Sequence, residues 1–208
     1  MTVPQWMSQD ARLRHHHHRD AQPGRSTEFP EWVSEPVRQA FAAVGIERLW
    51  QHQADAAQAA FTGHSVAMAT GTASGKSAAY LLAAITAGLD HRVGFAVDRG
   101  PLDLDRGHSA LYLAPTKALA HDQLRACREL GLNGWQPITL DGDSSDGERR
   151  FARESASFVL TNPDMLHRSV LPSHQRWTRL LSTLRYVVID EAHRYRGIFG
   201  AQTAAVLR

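Results

Sequence analysis

The chain has little of three things, and each scarcity narrows what it does. It has one cysteine, Cys127, in 208 residues, so no disulfide can close within it, which fits a reducing compartment. No apolar run approaches the ~20 residues that span a bilayer, and the basic N-terminus lacks the apolar core of a secretory signal. Together these absences predict a soluble globular protein of the cytoplasm (for a bacterium, the cytoplasm or nucleoid) with no membrane partner. The third scarcity is lysine: of 23 Lys and Arg residues, two are lysines, Lys76 and Lys117. A coding bias toward arginine accounts for the excess on solvated faces. It does not account for sites where a compact ammonium must fit a tight loop, and there the two residues are not interchangeable. The net charge of +2 is too small to argue for nucleic acid by itself.

The length suits one domain, at roughly 100–200 residues each. Residues 1–28 are polar and aperiodic, broken by Pro4, Pro23 and Gly24, and are expected to form a mobile arm. The run His15 to His18 falls within it, and with no Cys, Asp or Glu at ligand spacing it reads as solvated. Residues 29–208 carry the predicted elements. Ser34 caps a helix through Ala43 with Pro36 in its first turn; a second helix covers 51–61 and stops at Gly63. A strand over 66–69 precedes a glycine-containing loop and a helix to about residue 87, and residues 88–109 read as a long surface insertion. Then follow a strand at 110–114, a helix at 118–130, a strand at 136–140, a basic helix at 147–154 and a strand at 157–160. Helical segments at 164–170 and 177–184, an apolar strand at 186–189 and a helical tail at 201–208 complete the pattern. Strands alternating with helices predict an α/β fold whose mostly parallel sheet is flanked by helices on both sides. Polar clusters follow the strands at Thr70-Gly71, Pro115-Thr116-Lys117, Asp141-Gly142-Asp143, Thr161-Asn162-Pro163-Asp164 and Asp190-Glu191. In open parallel sheets ligands bind at that edge, although turn chemistry favours the same residues there.

Two stretches carry chemistry. The first is Thr70-Gly71-Thr72-Ala73-Ser74-Gly75-Lys76-Ser77, a loop between a predicted strand and a predicted helix. Its backbone N–H groups and the helix N-terminus suit a phosphate; Lys76 would reach the terminal phosphates of a nucleotide and Ser77 would ligate Mg²⁺. Thr70 stands where the usual pattern has its first glycine. Glycines between strand and helix also serve tight packing, so the loop alone leaves both readings open. The second stretch is Val187-Val188-Ile189-Asp190-Glu191-Ala192-His193. An apolar strand delivering Asp190 to a phosphate site supplies a Mg²⁺ partner, and Glu191 is placed to orient and deprotonate a water. An acidic strand end that merely solvates is the plain alternative, and the upstream Gly75-Lys76-Ser77 weighs against it.

With both stretches present in this order, the chain resembles the first RecA-like domain of a superfamily-two helicase of the DEAH-box kind, over about residues 46–208. That resemblance implies a RecA-like P-loop NTPase fold that binds ATP and Mg²⁺. Leu49-Trp50-Gln51-His52-Gln53 resembles the adenine-recognising segment, with Gln53 as its glutamine. Thr70 to Ser77 is similar to motif I, Pro115-Thr116-Lys117-Ala118-Leu119 to motif Ia, Thr161-Asn162-Pro163-Asp164 to motif Ib and Asp190 to His193 to motif II. The resemblance implies that Pro115, Thr116, Lys117, Thr161 and Asn162 grip the backbone of a single DNA strand, and that His193 links the ATP state to a partner domain. Finer matches, Asp141-Gly142-Asp143 and the run from Asp190 to Gly200, resemble the Hrq-type bacterial and fungal DNA-repair helicases, implying 3′-to-5′ polarity.

No Ser-Ala-Thr-type motif and no second phosphate-binding half follow motif II, so the chain reads as one lobe of a motor whose second RecA-like domain is absent. Such a lobe is expected to bind nucleotide and hydrolyse it poorly alone. Two other readings stay open: a motor lobe acting on RNA, because backbone gripping is largely blind to base identity, and a stand-alone nucleotide-binding module that is not an enzyme.

Overall fold

Alternation along the strands decides where the core lies. In the computed structural model, residue 12 and residues 24–71, 75–89 and 107–208 are described. The elements run β1 (Ser26–Thr27), α1 (Glu35–Ala43), β2 (Leu49–Trp50), α2 (Gln51–Phe61), α3 (Lys76–Leu89), β3 (Ser109–Leu113), α4 (Lys117–Glu129), β4 (Pro137–Thr139), α5 (Asp146–Glu154) and β5 (Phe158–Thr161). They continue with α6 (Pro163–Met165), irregular helical turns to Trp177, α7 (Thr178–Ser182), β6 (Leu184–Ile189) and α8 (Gly197–Val206). The main sheet has the order β4-β5-β3-β6, and all its pairings are parallel. Successive side chains point to opposite faces. Ala110, Tyr112, Phe158 and Leu160 therefore pack against α1 to α4, while Leu111, Leu113 and Val159 pack against α5 and the helical turns near Trp177. The predicted α/β sandwich is present.

The helix boundaries follow local chemistry. Ser145 accepts from the Glu148 N–H, and Glu148 Oε2 accepts from the Ser145 N–H at 2.7 Å, so a reciprocal capping box starts α5 one residue earlier than expected. The helix read over 164–170 is a short α turn that widens into a π-helical stretch at Leu166–Val170 and tightens into 3₁₀ turns at Leu171–Trp177. Pro172, which has no N–H to donate, lies just past the widening.

Two expectations about strands need correction. Residues 66–69 form no strand: Val66 is 43% exposed, and the segment pairs with none of the described strands. Apolar character over four residues is insufficient without a neighbour to complete the ladder. The run Tyr186 to Ile189, read as a buried strand, lies at one edge of the sheet, with Val187 and Ile189 41–43% exposed. Its inner face, Tyr186 and Val188, still packs on the larger core. The stretch read as a mobile arm is also pinned at its end. Ser26 and Thr27 pair antiparallel with Trp50 and Leu49, and the Arg25 carbonyl accepts from the Gln51 N–H at 2.8 Å. The His15 to His18 run and most of the long loop, residues 90–106, lie outside the described residues.

Candidate active site

Because β3, β5 and β6 run parallel, the polar residues that follow them emerge at one edge of the sheet. Motif II leaves β6 there. The Asp190 N–H continues the ladder to the Leu113 carbonyl at 3.0 Å, and Asp190 Oδ1 accepts from the Glu191 N–H at 2.8 Å. Its other oxygen, Oδ2, accepts from the Tyr112 hydroxyl in a very short bond. Glu191 takes the left-handed backbone conformation, φ 48°, which is uncommon for a residue with a side chain. The turn brings Glu191 Oε2 to 3.1 Å from His193 Nδ1, so the two residues expected to handle the water and the coupling touch each other directly.

The phosphate-loop residues sit at the start of α3. Gly75 has φ +69°, and a Cβ built on it would collide with the Gln53 amide nitrogen. Only glycine suits both demands. Gln53 is 4% exposed. Its Nε2 donates to the Gly75 carbonyl at 2.8 Å and its Oε1 accepts from the Trp50 N–H at 2.8 Å, so one side chain fastens the loop to the start of α2. Lys76 Nζ donates to the carbonyls of Thr70 (2.7 Å) and Gly71 (3.0 Å), drawing the two ends of the loop together. Ser77 follows in the first turn of α3. Thr72, Ala73 and Ser74 lie outside the described residues.

The donor set fits Mg²⁺. This hard cation takes oxygen ligands and is usually held by one or two carboxylates plus phosphates and water. Asp190 and Ser77 supply a carboxylate and a hydroxyl; Asp190 is bonded to Tyr112, whose ring lies 5.6 Å from that of Tyr80, three residues beyond Ser77. Among the described residues no cluster of three His, Cys, Asp or Glu could hold a metal by itself.

The strand-end residues expected to grip nucleic acid divide into two sets. Pro115 and Thr116 are half-buried and Lys117 is exposed at the head of α4, where the Thr116 hydroxyl caps the helix through the Leu119 N–H. Lys117 Nζ lies 2.6 Å from Asp143 Oδ2 and 3.9 Å from Asp141 Oδ1; the Asp143 hydrogen bond holds the ammonium above its ordinary pKa. Asn162 caps the next helical turn through the Met165 N–H at 2.8 Å. Thr161 lies in the core, with its hydroxyl donating to the Leu140 carbonyl at 2.6 Å.

Sequence reading saw Asp141 only as part of a strand-end cluster and passed over its partner His121. Asp141 is buried, bonded to the Asp143 N–H at 2.7 Å and to His121 Nε2 at 3.1 Å. Burial alone would raise its carboxyl, but the Asp143 N–H, His121 and Lys117 outweigh it and hold the group below its usual value. Tyr112 and Tyr80 were also missed, although one signal was there to see: a tyrosine inside an apolar strand needs a partner for its hydroxyl.

The chain is similar to several named helicases. The Bacillus subtilis protein named "Uncharacterized ATP-dependent helicase YprA" is 37% identical over 196 residues, covering 92% of this chain and 24% of that protein. The Saccharomyces cerevisiae "ATP-dependent helicase HRQ1" is 36% identical over 191 residues, covering 89% of this chain and 16% of its own length. The chain thus spans a quarter or less of these relatives. The crystal structure of the DUF1998 helicase MrfA bound to DNA and AMPPNP superposes with a TM-score of 0.76 at 36% identity, over 89% of this chain and 25% of that one. The fold is therefore the RecA-like fold of helicases. Residues 50–208, which hold the loop at Gly75, the Lys117 helix and the Asp190-Glu191 turn, match the DEAD/DEAH box helicase family, and the chain belongs to that family.

Proposed function

We propose that this chain is the N-terminal ATP-binding lobe of an ATP-dependent DNA helicase that turns hydrolysis into movement along a single strand, in DNA repair and in the cytoplasm. The carrying observation is that Tyr112, which donates to Asp190, packs its ring 5.6 Å from that of Tyr80, three residues beyond Ser77, so the acidic turn and the head of α3 share one edge of the sheet. Gly75, Lys76 and Ser77 take the phosphates, with residues 70–74 completing the loop, and Gln53 lies on the adenine side. Mg²⁺, held by Ser77 and Asp190, neutralises phosphate charge when bound. Glu191 accepts a proton from water as the water oxygen bonds to the γ-phosphorus and the bond to the β–γ bridging oxygen breaks. His193, in contact with Glu191, passes the state of the site to a second RecA-like domain. Pro115, Thr116, Lys117, Thr161 and Asn162 serve the strand, with Thr161 acting from within the core by holding the turn before Asn162. Movement runs 3′ to 5′.

The relatives' names favour an ATP-dependent motor, and the DNA in the MrfA complexes favours DNA over RNA. Alone, the lobe binds nucleotide and hydrolyses it negligibly, because arginines from a second domain commonly supply about 10³–10⁵ in rate. Lys76→Ala is expected to abolish nucleotide binding by the chain. In the full-length parent it abolishes hydrolysis, while Glu191→Gln traps ATP. Normal unwinding by both parent variants would refute the assignment. Competition between matched DNA and RNA strands in the parent ATPase assay decides the substrate.

A further inference from the structure

A buried hydroxyl is costly unless it is bonded, so its partner is informative. Tyr112 is fully buried in β3, between Tyr80 and Phe158, with ring centroids 5.6 and 6.1 Å away. A phenylalanine would fill that space equally well. The hydroxyl does one further thing: it donates to Asp190 Oδ2. Tyr80 stands three residues beyond Ser77 on α3, a spacing that places both on one helix face. Its hydroxyl donates to Gln123 Oε1 on α4 at 2.7 Å. A line of packed side chains therefore runs Tyr80–Tyr112–Asp190, with a branch to the helix that begins at Lys117.

We propose that Tyr112 is a positioning residue for Asp190, and that the line Tyr80–Tyr112–Asp190 holds this carboxylate beside the helix that carries Ser77 and fastens it to α4. With Oδ1 bonded to the Glu191 N–H and Oδ2 to Tyr112, the carboxylate plane is fixed from two directions. Without the phenol, the Glu191 N–H alone restrains it and the carboxylate turns about its χ2. Outer partners of this kind typically alter metal affinity by about 10–100-fold. The inference rests on the reading of Ser77 and Asp190 as Mg²⁺ residues.

The test is Tyr112→Phe in this chain, with a fluorescent ADP analogue titrated in Mg²⁺ and in EDTA. The ratio of the two affinities is expected to fall about tenfold, the lower end of that range, with the EDTA affinity unchanged. Asp190→Ala should lower the ratio at least as far, and adding Tyr112→Phe to it should change nothing more. An unchanged ratio in Tyr112→Phe overturns the proposal, as does an equal loss in Mg²⁺ and EDTA, which marks a purely structural role. The same double-mutant cycle read by thermal denaturation without nucleotide should be non-additive, and additivity there overturns the proposal independently. A wild-type chain that bound no nucleotide would instead refute the proposed function, leaving the denaturation cycle to judge the Tyr112–Asp190 contact.

Discussion

Gly75→Ala is the sharpest test of how the loop is held. Gly75 sits at φ +69°, a left-handed conformation that costs a residue with a side chain about 1–2 kcal/mol. The new Cβ would collide with Gln53 Nε2, so the 2.8 Å bond from Gln53 to the Gly75 carbonyl must break. A net loss of about 1 kcal/mol is usual for such a bond. The sum is about 2–3 kcal/mol, and at roughly 2–4 °C per kcal/mol for a chain of this size the melting temperature should drop by about 4–12 °C. Thermal denaturation followed by circular dichroism measures it. Because part of the cost is the collision with Gln53, the double variant Gln53→Ala/Gly75→Ala should lose less than the sum of the two single variants. A melting temperature unmoved by Gly75→Ala, or strict additivity in the pair, would refute the reasoning.

Other outcomes follow from the same edge of the sheet. Asp143→Asn removes the closest carboxylate from Lys117; because exposed pairs are worth about 0.2–1 kcal/mol, affinity for single-stranded DNA should rise by about 1.4–5-fold at low salt and the gain should fade at high salt. Fluorescence anisotropy with a labelled oligonucleotide reads this, and a gain that survived Lys117→Ala would disprove it. Asp141 gives a pH signature, since its carboxyl lies below the ordinary 3.8 in the fold. Its contribution is therefore complete above about pH 3.8 and is lost as pH falls through the lower folded value. The stability gap between wild type and Asp141→Asn should hold near neutrality and narrow below about pH 4; a gap that did not change with pH would show that the carboxylate charge is not what matters.

What could be read in the chain before its structure follows from how local each signal is. The helix over 51–61 with its stop at Gly63 and the strand read over 110–114 rest on periodicity and on residues a few positions apart. Gly75-Lys76-Ser77 and Asp190-Glu191 were legible for the same reason: their chemistry needs particular residue types at fixed spacing. The strand at 66–69 failed because a strand is completed by its neighbour, which no short apolar run can specify. Val187 and Ile189 have the composition of buried residues, yet they lie on a sheet edge, and only the strand order reveals it.

By itself, then, the sequence determined the α/β alternation, the family and the identity of the phosphate and acidic motifs. Tertiary structure alone decided which distant groups share those motifs. It placed Tyr112, 78 positions before Asp190, against that carboxylate, and Gln53, 22 positions before Gly75, against that carbonyl. It also set Asp143 on Lys117 and buried Thr161 beneath the edge it was expected to line. The physical reason is that motif spacing acts along the chain, whereas a hydrogen bond to a buried hydroxyl or amide depends on strand order and helix packing, which bring distant residues within 3 Å of one another.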